Sequence, residues 1–225
     1  MLRYFGRGEE MFSAKIAFFL GNLDTLSGKT TLCQIMNSEG SDKGAGWHNY
    51  TGLYQCLFEE NRANVRNVLE IGLGTNNPKL ISNMGMKGRP GASVRGWERY
   101  FPGAKIYGGD IDKEILFFTD VISTFYLDQT DSASVKSFLN NIPGVQFDLV
   151  IDDGLHEYRG AKPLLENLIS RLAIDGVYVI EDIVTYRDNL DLYYNLFNEL
   201  NLSGVLLDIP NKINTHDNCL AIIRR

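Results

Sequence analysis

The stretch NVLEIGLG, residues 67 to 74, joins an apolar run to two closely spaced glycines. The run is typical of a buried strand, and Gly72 and Gly74 let the chain turn sharply at its end. From here to the C-terminus, short apolar runs alternate with longer amphipathic ones. This alternation predicts an α/β fold, in which helices cover both faces of a mostly parallel sheet.

The apolar runs predict seven strands, at 67 to 72, 105 to 110, 124 to 127, 147 to 152, 177 to 182, 204 to 209 and 219 to 224. Amphipathic patterns predict helices at 92 to 101, 131 to 140, 159 to 172 and 186 to 201. Asp131 is the expected N-cap of the second of these helices. We expect a mostly helical extension over residues 1–60, with a flexible lid loop at 40 to 52, and a ligand-binding domain over 61–225. The two form one structural unit.

Composition excludes several classes of function. The net charge of -6 and the pI of about 5.1 lack the basic excess of a nucleic-acid binder. Three scattered cysteines, Cys33, Cys56 and Cys219, predict reduced core thiols and a cytoplasmic protein. We expect neither disulfides nor a zinc site.

The apolar segment AKIAFFLG, residues 14 to 21, is shorter than the roughly 20 residues of a membrane span. Glu9 and Glu10 precede it, which is unlike a signal peptide. We therefore predict a short helix packed on the domain or on a second subunit. Because the segment is apolar around Phe18 and Phe19, we expect that it could pack on a second copy in a homodimer.

Acidic residues stand at the carboxyl ends of the first five predicted strands, which is the edge of the sheet where ligands bind in open α/β folds. Glu70 lies next to the glycine turn, and Asp110 ends the second strand, where a carboxylate can bind both hydroxyls of a ribose. A dinucleotide fingerprint needs a third glycine at position 77, which is Asn77. The pattern favours S-adenosylmethionine as ligand. The alternative is an ordinary strand-end turn with a solvated acid.

The segment SGKTT, residues 27 to 31, looks like the end of a phosphate-binding loop. A phosphate-binding loop has a glycine five positions before the one that corresponds to Gly28, but this chain has Leu23 there. Ser27 or Thr30 is instead expected to cap the following helix.

Four ionisable side chains follow the fourth and fifth predicted strands: Asp153, His156, Glu181 and Asp182. If these strands are neighbours, the three carboxylates converge and repel one another unless a cation joins them. Oxygen ligands suit magnesium or calcium, and His156 could accept a proton from a substrate hydroxyl. Asp152 should point the opposite way, toward the cofactor. The alternative is that the acids cap the next helix or pair with Arg159 or Arg187.

The two other histidines carry less information. His48 lies in the lid loop, where it could contact substrate or be solvated. His216 is expected in a surface turn between the last two strands.

Five segments in this order resemble the class I S-adenosylmethionine-dependent methyltransferases, specifically the branch of macrolide-sugar O-methyltransferases: LEIGLG (69–74), IYGGDID (106–112), DQTD (128–131), VIDDGLH (150–156) and YVIED (178–182). GSDKG (40–44) and HNYT (48–51) match the same branch, so that the resemblance covers about residues 38 to 225. The combination of VIDDGLH with IED is the specific part.

The resemblance implies a Rossmann-like sheet of seven strands with an antiparallel last strand. It implies a cofactor site at the Gly72 loop, Asp110, Asp128 and Gln129, and magnesium bound by the acids at 153, 181 and 182, with His156 as general base. The segment 75–93 is unusual for the class, and Ser93 at the helix start could hold the methionine end of the cofactor.

The expected reaction is methyl transfer to an oxygen of a small acceptor that is sugar-linked or nucleotide-linked. Such chemistry belongs to natural-product pathways or to capsule and surface-glycan synthesis. Three alternatives remain: a phosphate or phosphoramidate oxygen as acceptor, a hydroxylase-like relative, and a non-catalytic relative on the same scaffold.

Overall fold

The computed structural model describes residues 2–6, 10–44 and 46–224. Glu9, named above, lies outside the described residues. Glu10 and Arg187 lie in described helices, but their side chains are not described.

One mixed sheet forms the centre of the fold. Its eight strands in the described chain are β1 (Leu2–Phe5), β2 (Asn67–Ile71), β3 (Lys105–Asp110), β4 (Ile122–Tyr126), β5 (Phe147–Asp152), β6 (Leu172–Ile183), β7 (Ser203–Asp208) and β8 (Cys219–Arg224). Their order is β1-β7-β8-β6-β5-β2-β3-β4. The strands from β2 to β6 pair in parallel, and β8 runs antiparallel to both β6 and β7. The predicted Rossmann-like sheet with an antiparallel last strand is confirmed.

The predicted number of seven strands is wrong, because β1 adds an antiparallel strand beside β7 at the edge of the sheet. β1 has only four residues and no local alternating pattern, so its strand conformation depends on pairing with β7. Phe5 is buried against Phe197, with ring centroids 4.5 Å apart. β6 also begins five residues before its predicted start, since the turn-like pair Asp175 and Gly176 lies within the strand.

Helices cover both faces. They are α1 (Glu10–Gly21), α2 (Leu23–Leu26), α3 (Thr31–Glu39), α4 (Tyr50–Phe58), α5 (Ala92–Tyr100), α6 (Ser132–Asn141), α7 (Tyr158–Leu168) and α8 (Arg187–Glu199). The expected caps are present, since the Thr30 side chain accepts from the Cys33 amide and Asp131 from the Ala133 amide. Within the described part of the chain, no helix has the length and apolar character of a membrane span.

Two apolar cores follow from the alternation of side chains along the strands. Val68 and Leu149 pack with the face covered by α1, α3, α4 and α5. Leu69 and Val150 pack with the opposite face, covered by α6, α7 and α8. Successive residues of one strand therefore belong to different layers, which decides where each strand-end acid points.

The N-terminal segment belongs to the first of these cores. α1 includes the segment predicted as a short helix, and Phe19 is buried there, while Phe18 is exposed. Phe19 is therefore not available to a second subunit, and the homodimer stays a prediction. Cys33 and Cys219 are buried, Cys56 is half-buried, and all three are free thiols, as expected.

Candidate active site

A cavity of about 640 Å³ opens beyond the carboxyl ends of β2, β3 and β5. β2 lies between β3, the next strand along the chain, and β5. The order of the strands therefore reverses at β2, and ligands of open α/β sheets bind at such a switch point. The volume lies within the range of about 300–1,000 Å³ that is typical of small-molecule sites.

The glycine loop after β2 forms the floor of the cavity. Gly72 has φ +94°, and a Cβ atom there would lie 2.0 Å from the Asp153 carbonyl oxygen. Gly74 has φ +73° and also lines the cavity. Only glycine adopts these conformations readily, so the loop exposes its backbone to a ligand.

Asp110 fixes this loop. Its Oδ2 accepts from the Leu73 amide at 2.7 Å, and its Oδ1 accepts from the Asp112 amide at 2.8 Å. Burial raises the pKa of the carboxyl, while these amides lower it. Since a carboxylate has about four acceptor sites, Asp110 keeps capacity for a ligand in the cavity that it lines.

The loop after β4 forms the next wall of the cavity. Asp128 lines the cavity and accepts from the Thr130 amide and hydroxyl at 2.9 and 2.7 Å. Gln129 donates to Asp152 at 2.9 Å and accepts from the Leu155 amide at 2.8 Å, so its side chain links two loops. Ser93 lines the cavity from the first turn of α5.

Three of the predicted site residues do not line the cavity: Glu70, Asp152 and Glu181. Glu70 is fully buried and accepts from the Trp97 indole at 2.7 Å. Asp152 lies on the same strand face as Val150, which is covered by α6, α7 and α8. Burial raises its pKa to about 6. That Asp152 faces the cofactor stays a prediction.

A buried lysine lies among the acids. Lys43 Nζ is 2.6 Å from Asp153, 3.2 Å from Glu70, and in direct contact with Glu181. Only 1% of the surface of Lys43 is exposed to solvent. Burial lowers the pKa of Lys43, but the three carboxylates outweigh burial and raise the pKa well above its usual value. The lysine is therefore charged.

Two tyrosines of α4 complete the cluster. Tyr50 donates to Asp182 Oδ1 and Tyr54 donates to Glu181 Oε1, both at 2.6 Å. His48 is buried, stacks on Tyr50 and lies 3.5 Å from Asp182 Oδ1. The lid segment thus contacts the acids directly. Sequence reasoning identified neither Lys43 nor the tyrosines, although GSDKG and HNYT contain two of them.

His156 lies between two carboxylates. Its Nε2 is 3.3 Å from Asp153 Oδ1, and its Nδ1 is 3.8 Å from Asp182 Oδ2. Both His156 and Asp182 have positive φ, at 59° and 56°, a conformation unusual outside glycine that is concentrated at functional sites. Burial lowers the pKa of His156, but Asp153 and Asp182 outweigh burial and raise it to about 10. A second cation bound to these acids would lower this pKa toward the range in which the ring accepts a proton.

Asp153, His156 and Asp182 can together hold a metal ion, since each offers a ligand atom and these atoms lie within 4.8 Å of one another. His156 Nε2 is buried beside Asp153 Oδ1 but does not have the geometry of a hydrogen bond to it. Glu181 is not a member of this group. Both of its oxygens are engaged, one by Lys43 and one by Tyr54.

The unusual segment 75–93 forms the outer wall. Thr75 and Asn83 form a β-bridge, and the Ser82 hydroxyl donates to the Leu155 carbonyl at 3.3 Å. Met84 packs on Gly74, and Ile81 is 72% exposed beside it. The segment therefore spans the cavity from the glycine loop to the loop containing His156. His216, by contrast, is exposed between β7 and β8, as expected.

Comparison of the sequence with known proteins finds relatives of one kind. No protein-family model matches the chain. The 8-demethyl-8-α-L-rhamnosyl tetracenomycin-C 2'-O-methyltransferase of Streptomyces olivaceus is 34% identical over 146 residues, which are 65% of this chain and 36% of that protein. The mycinamicin VI 2''-O-methyltransferase of Micromonospora griseorubida is 32% identical over 162 residues, 71% and 37% of the two chains. The chain spans little more than a third of the length of these relatives.

Solved structures agree. The MycE methyltransferase of the mycinamicin pathway, in complex with magnesium and S-adenosylhomocysteine (SAH), has a TM-score of 0.57 and 29% identity over 68% of this chain and 37% of that chain. The same enzyme with magnesium, SAH and mycinamicin VI has a TM-score of 0.64 over 88% and 54%, at 23% identity, which supports the fold. The chain is similar in sequence to O-methyltransferases of antibiotic sugars and has the fold of the class I S-adenosylmethionine-dependent methyltransferases.

Proposed function

We propose that this chain transfers a methyl group from S-adenosylmethionine to a hydroxyl oxygen of a small glycosylated acceptor, with magnesium as the second cofactor. The observation that carries the proposal is that the glycine loop and the group Asp153, His156 and Asp182 open into one cavity. The names of the similar proteins support a sugar hydroxyl as acceptor. A place in natural-product or surface-glycan synthesis in the cytoplasm is part of the same proposal.

The cofactor would bind along the floor of the cavity. The backbone at Gly72 and Gly74 would approach its methionine portion, and Asp110 would accept from the ribose hydroxyls. Asp128, which lines the cavity after β4, would lie near the adenine, and Ser93 at the start of α5 would lie near the methionine portion. Gln129 would act by fixing the loop positions, because both ends of its amide already bond to protein.

The methyl group of a sulfonium is already activated, so the protein mainly has to align the acceptor oxygen and remove its proton. His156 would take that proton, since its ring lines the cavity beside both metal-binding acids. Asp153, Glu181 and Asp182 would hold the divalent cation, whose charge, when bound, would lower the pKa of the acceptor hydroxyl.

Calorimetric titration with SAH, in the presence and absence of magnesium, tests the cofactor proposal. We expect saturable binding under both conditions, because none of the residues proposed to bind the cofactor is a metal ligand. A flat titration in both would contradict the function and favour a non-catalytic relative. Turnover that required iron and oxygen would instead favour the hydroxylase alternative.

His156→Asn tests the proposed base. Asparagine tolerates positive φ better than most residues, so the backbone should be retained while the imidazole is lost. We expect methyl transfer to fall by about 10²- to 10⁴-fold, the usual contribution of a general base. SAH affinity should stay within about threefold of the unchanged protein, a bound of about 0.7 kcal/mol. Unchanged turnover would exclude His156 as the base.

A nucleotide-linked or phosphorylated acceptor is the second candidate, because three cationic side chains, Lys79, Arg89 and Arg159, also line the cavity. Arg159 Nε already contacts Glu157, and Arg89 donates to the Glu39 carbonyl at 3.2 Å, which leaves Lys79 as the exposed member of this group whose side chain has no contact of this kind among the described residues. If the acceptor carries phosphate, inorganic phosphate should inhibit methyl transfer, and Lys79→Met should relieve this inhibition. An absence of inhibition would favour the neutral sugar.

A further inference from the structure

The loop between β7 and β8 reaches the cavity from the side opposite the proposed cofactor site. In the sheet, β5 and β6 carry the proposed metal ligands at their carboxyl ends and separate β2, β3 and β4 from β8 and β7. β6 and β7 are both antiparallel to β8, so β7 ends at the same edge of the sheet as β6. The cofactor and this loop therefore lie on different sides of the proposed metal site.

Two side chains of this region line the cavity and have no part in the site described so far: Trp47 of the lid loop and Asp217 of the loop between β7 and β8. Trp47 is 47% exposed, although tryptophan is highly buried on average. Asp217 Oδ1 accepts from the Asn214 side chain at 2.7 Å, and its other oxygen has no partner among the described residues. Since a carboxylate has about four acceptor sites, Asp217 has capacity left for a ligand.

Hydrogen bonds hold these two side chains beside the proposed metal site. The Asn211 side chain donates to the Trp47 carbonyl at 2.9 Å and so joins segments that are 164 residues apart in sequence. The Tyr50 hydroxyl, which donates to Asp182, also lies within hydrogen-bond distance of the Asp217 carbonyl, at 3.2 Å. The lid loop and the loop between β7 and β8 therefore form one wall of the cavity.

An exposed indole beside a carboxylate is suited to a sugar ring. The C–H face of a pyranose is apolar and can cover an aromatic ring, while its hydroxyls lie around the rim and donate hydrogen bonds. A hydrogen bond from a hydroxyl to a carboxylate is about twice as strong as one between neutral groups. A carboxylate also repels a phosphate group, so this side of the cavity favours a neutral acceptor.

We propose that Trp47 and Asp217 form the acceptor subsite, in which Trp47 packs on the face of a neutral sugar ring and Asp217 accepts from a ring hydroxyl other than the one that is methylated. Asp217 is then a specificity-determining residue, because a deoxy sugar without that hydroxyl leaves the carboxylate unpaired. The inference rests on the proposed function, since it places the acceptor across the metal site from the cofactor.

The fluorescence of Trp47 provides the first test. The chain has two tryptophans, and Trp97 is fully buried, so acrylamide quenches the fluorescence of Trp47 selectively. Methyl glycosides of rhamnose, glucose, mannose and galactose are added in turn with SAH and Mg²⁺ present. At least one should protect Trp47 from quenching, whereas glycerol at the same concentration should not. If SAH binds and no glycoside protects Trp47, the subsite is rejected and the function stands. If SAH does not bind, the proposed function itself falls.

Calorimetric titration of variants with the protecting glycoside separates the two contacts. Trp47→Ala should weaken binding at least about ten-fold, while Trp47→Phe, which keeps an aromatic face, should stay within about threefold of the unchanged protein. Unchanged binding by Trp47→Ala would overturn the stacking role.

Asp217→Asn removes the charge and should weaken binding of the same glycoside at least about fivefold. Asp120→Asn is the matched control, because Asp120 is exposed and lies outside the cavity. SAH affinity should be equal in both variants. Equal glycoside affinity in both would overturn the role of Asp217.

Monodeoxy forms of the glycoside give a readout that a merely structural role of Asp217 would not change. For one of these forms, the affinities of Asp217→Asn and the unchanged protein should agree within about twofold, because the hydroxyl that pairs with the carboxylate is already absent. If Asp217→Asn lowered the affinity for every deoxy form by the same factor, Asp217 would not contact a ring hydroxyl and the proposal would be overturned.

Discussion

At the scale of single residues, two buried tyrosine hydroxyls differ in whether they have a partner. Tyr178 is fully buried, and its hydroxyl has no hydrogen-bond partner among the described residues, whereas Tyr54 donates to Glu181. Tyr178→Phe should therefore leave the free energy of unfolding unchanged or raise it by up to about 1 kcal/mol. Tyr54→Phe should lower it by about 1–3 kcal/mol, since a buried carboxylate loses its donor. Urea denaturation of both variants measures the difference. A loss above 1 kcal/mol in Tyr178→Phe would contradict this.

Sequence alone identified some residues of the site and not others, for a physical reason. Asp153, His156 and Asp182 follow the ends of buried strands, and neighbouring parallel strands bring such residues together. Lys43 follows no such rule, because its partners Asp153 and Glu181 are 110 and 138 residues away in sequence. A lysine in the segment GSDKG looks like an exposed loop residue until the fold places it among acids.

At the scale of elements, the turn after β2 depends on one glycine. In Gly72→Ala, the new Cβ atom would lie 2.0 Å from the Asp153 carbonyl oxygen, at a backbone φ of +94° that alanine rarely adopts. Either the loop or the end of β5 must move, at about 1–3 kcal/mol for the backbone conformation alone. We expect a loss of at least about 2 kcal/mol in unfolding free energy together with loss of SAH binding.

The matched control for this substitution is Gly21→Ala. Gly21 ends α1, and a Cβ atom there meets nothing within 4 Å. Its stability should change by less than about 1 kcal/mol, with SAH binding intact. If Gly72→Ala bound SAH as well as this control, the glycine loop would have no part in cofactor binding.

The elements that sequence predicts best are those that the core determines. β5 and α5 begin where expected because their apolar residues match the period of the element. β1 and the first residues of β6 were missed, since pairing with β7 and β5 determines their conformation and no local pattern does. Edge pairing is a tertiary effect that overrides weak local preference.

At the scale of the whole molecule, the cofactor should stabilise the fold, because the cavity is built from segments far apart in sequence. The lid loop, the glycine loop and the loops after β4 and β5 all line it. A ligand that binds only the folded chain adds about 2.7 kcal/mol at a concentration 100 times its Kd. For a chain of 225 residues this corresponds to a rise in Tm of about 5–10 °C.

Differential scanning fluorimetry with SAH measures that shift, and NAD at the same concentration is the informative control. The dinucleotide fingerprint needs a third glycine so that its helix packs closely on the strand, and this chain has Asn77 there. NAD should therefore leave Tm unchanged within about 1 °C, a shift equivalent to less than about 0.5 kcal/mol. A shift with NAD and none with SAH would mean that the same cavity serves a different cofactor. The acids at the rim would then have to be explained by chemistry other than methyl transfer.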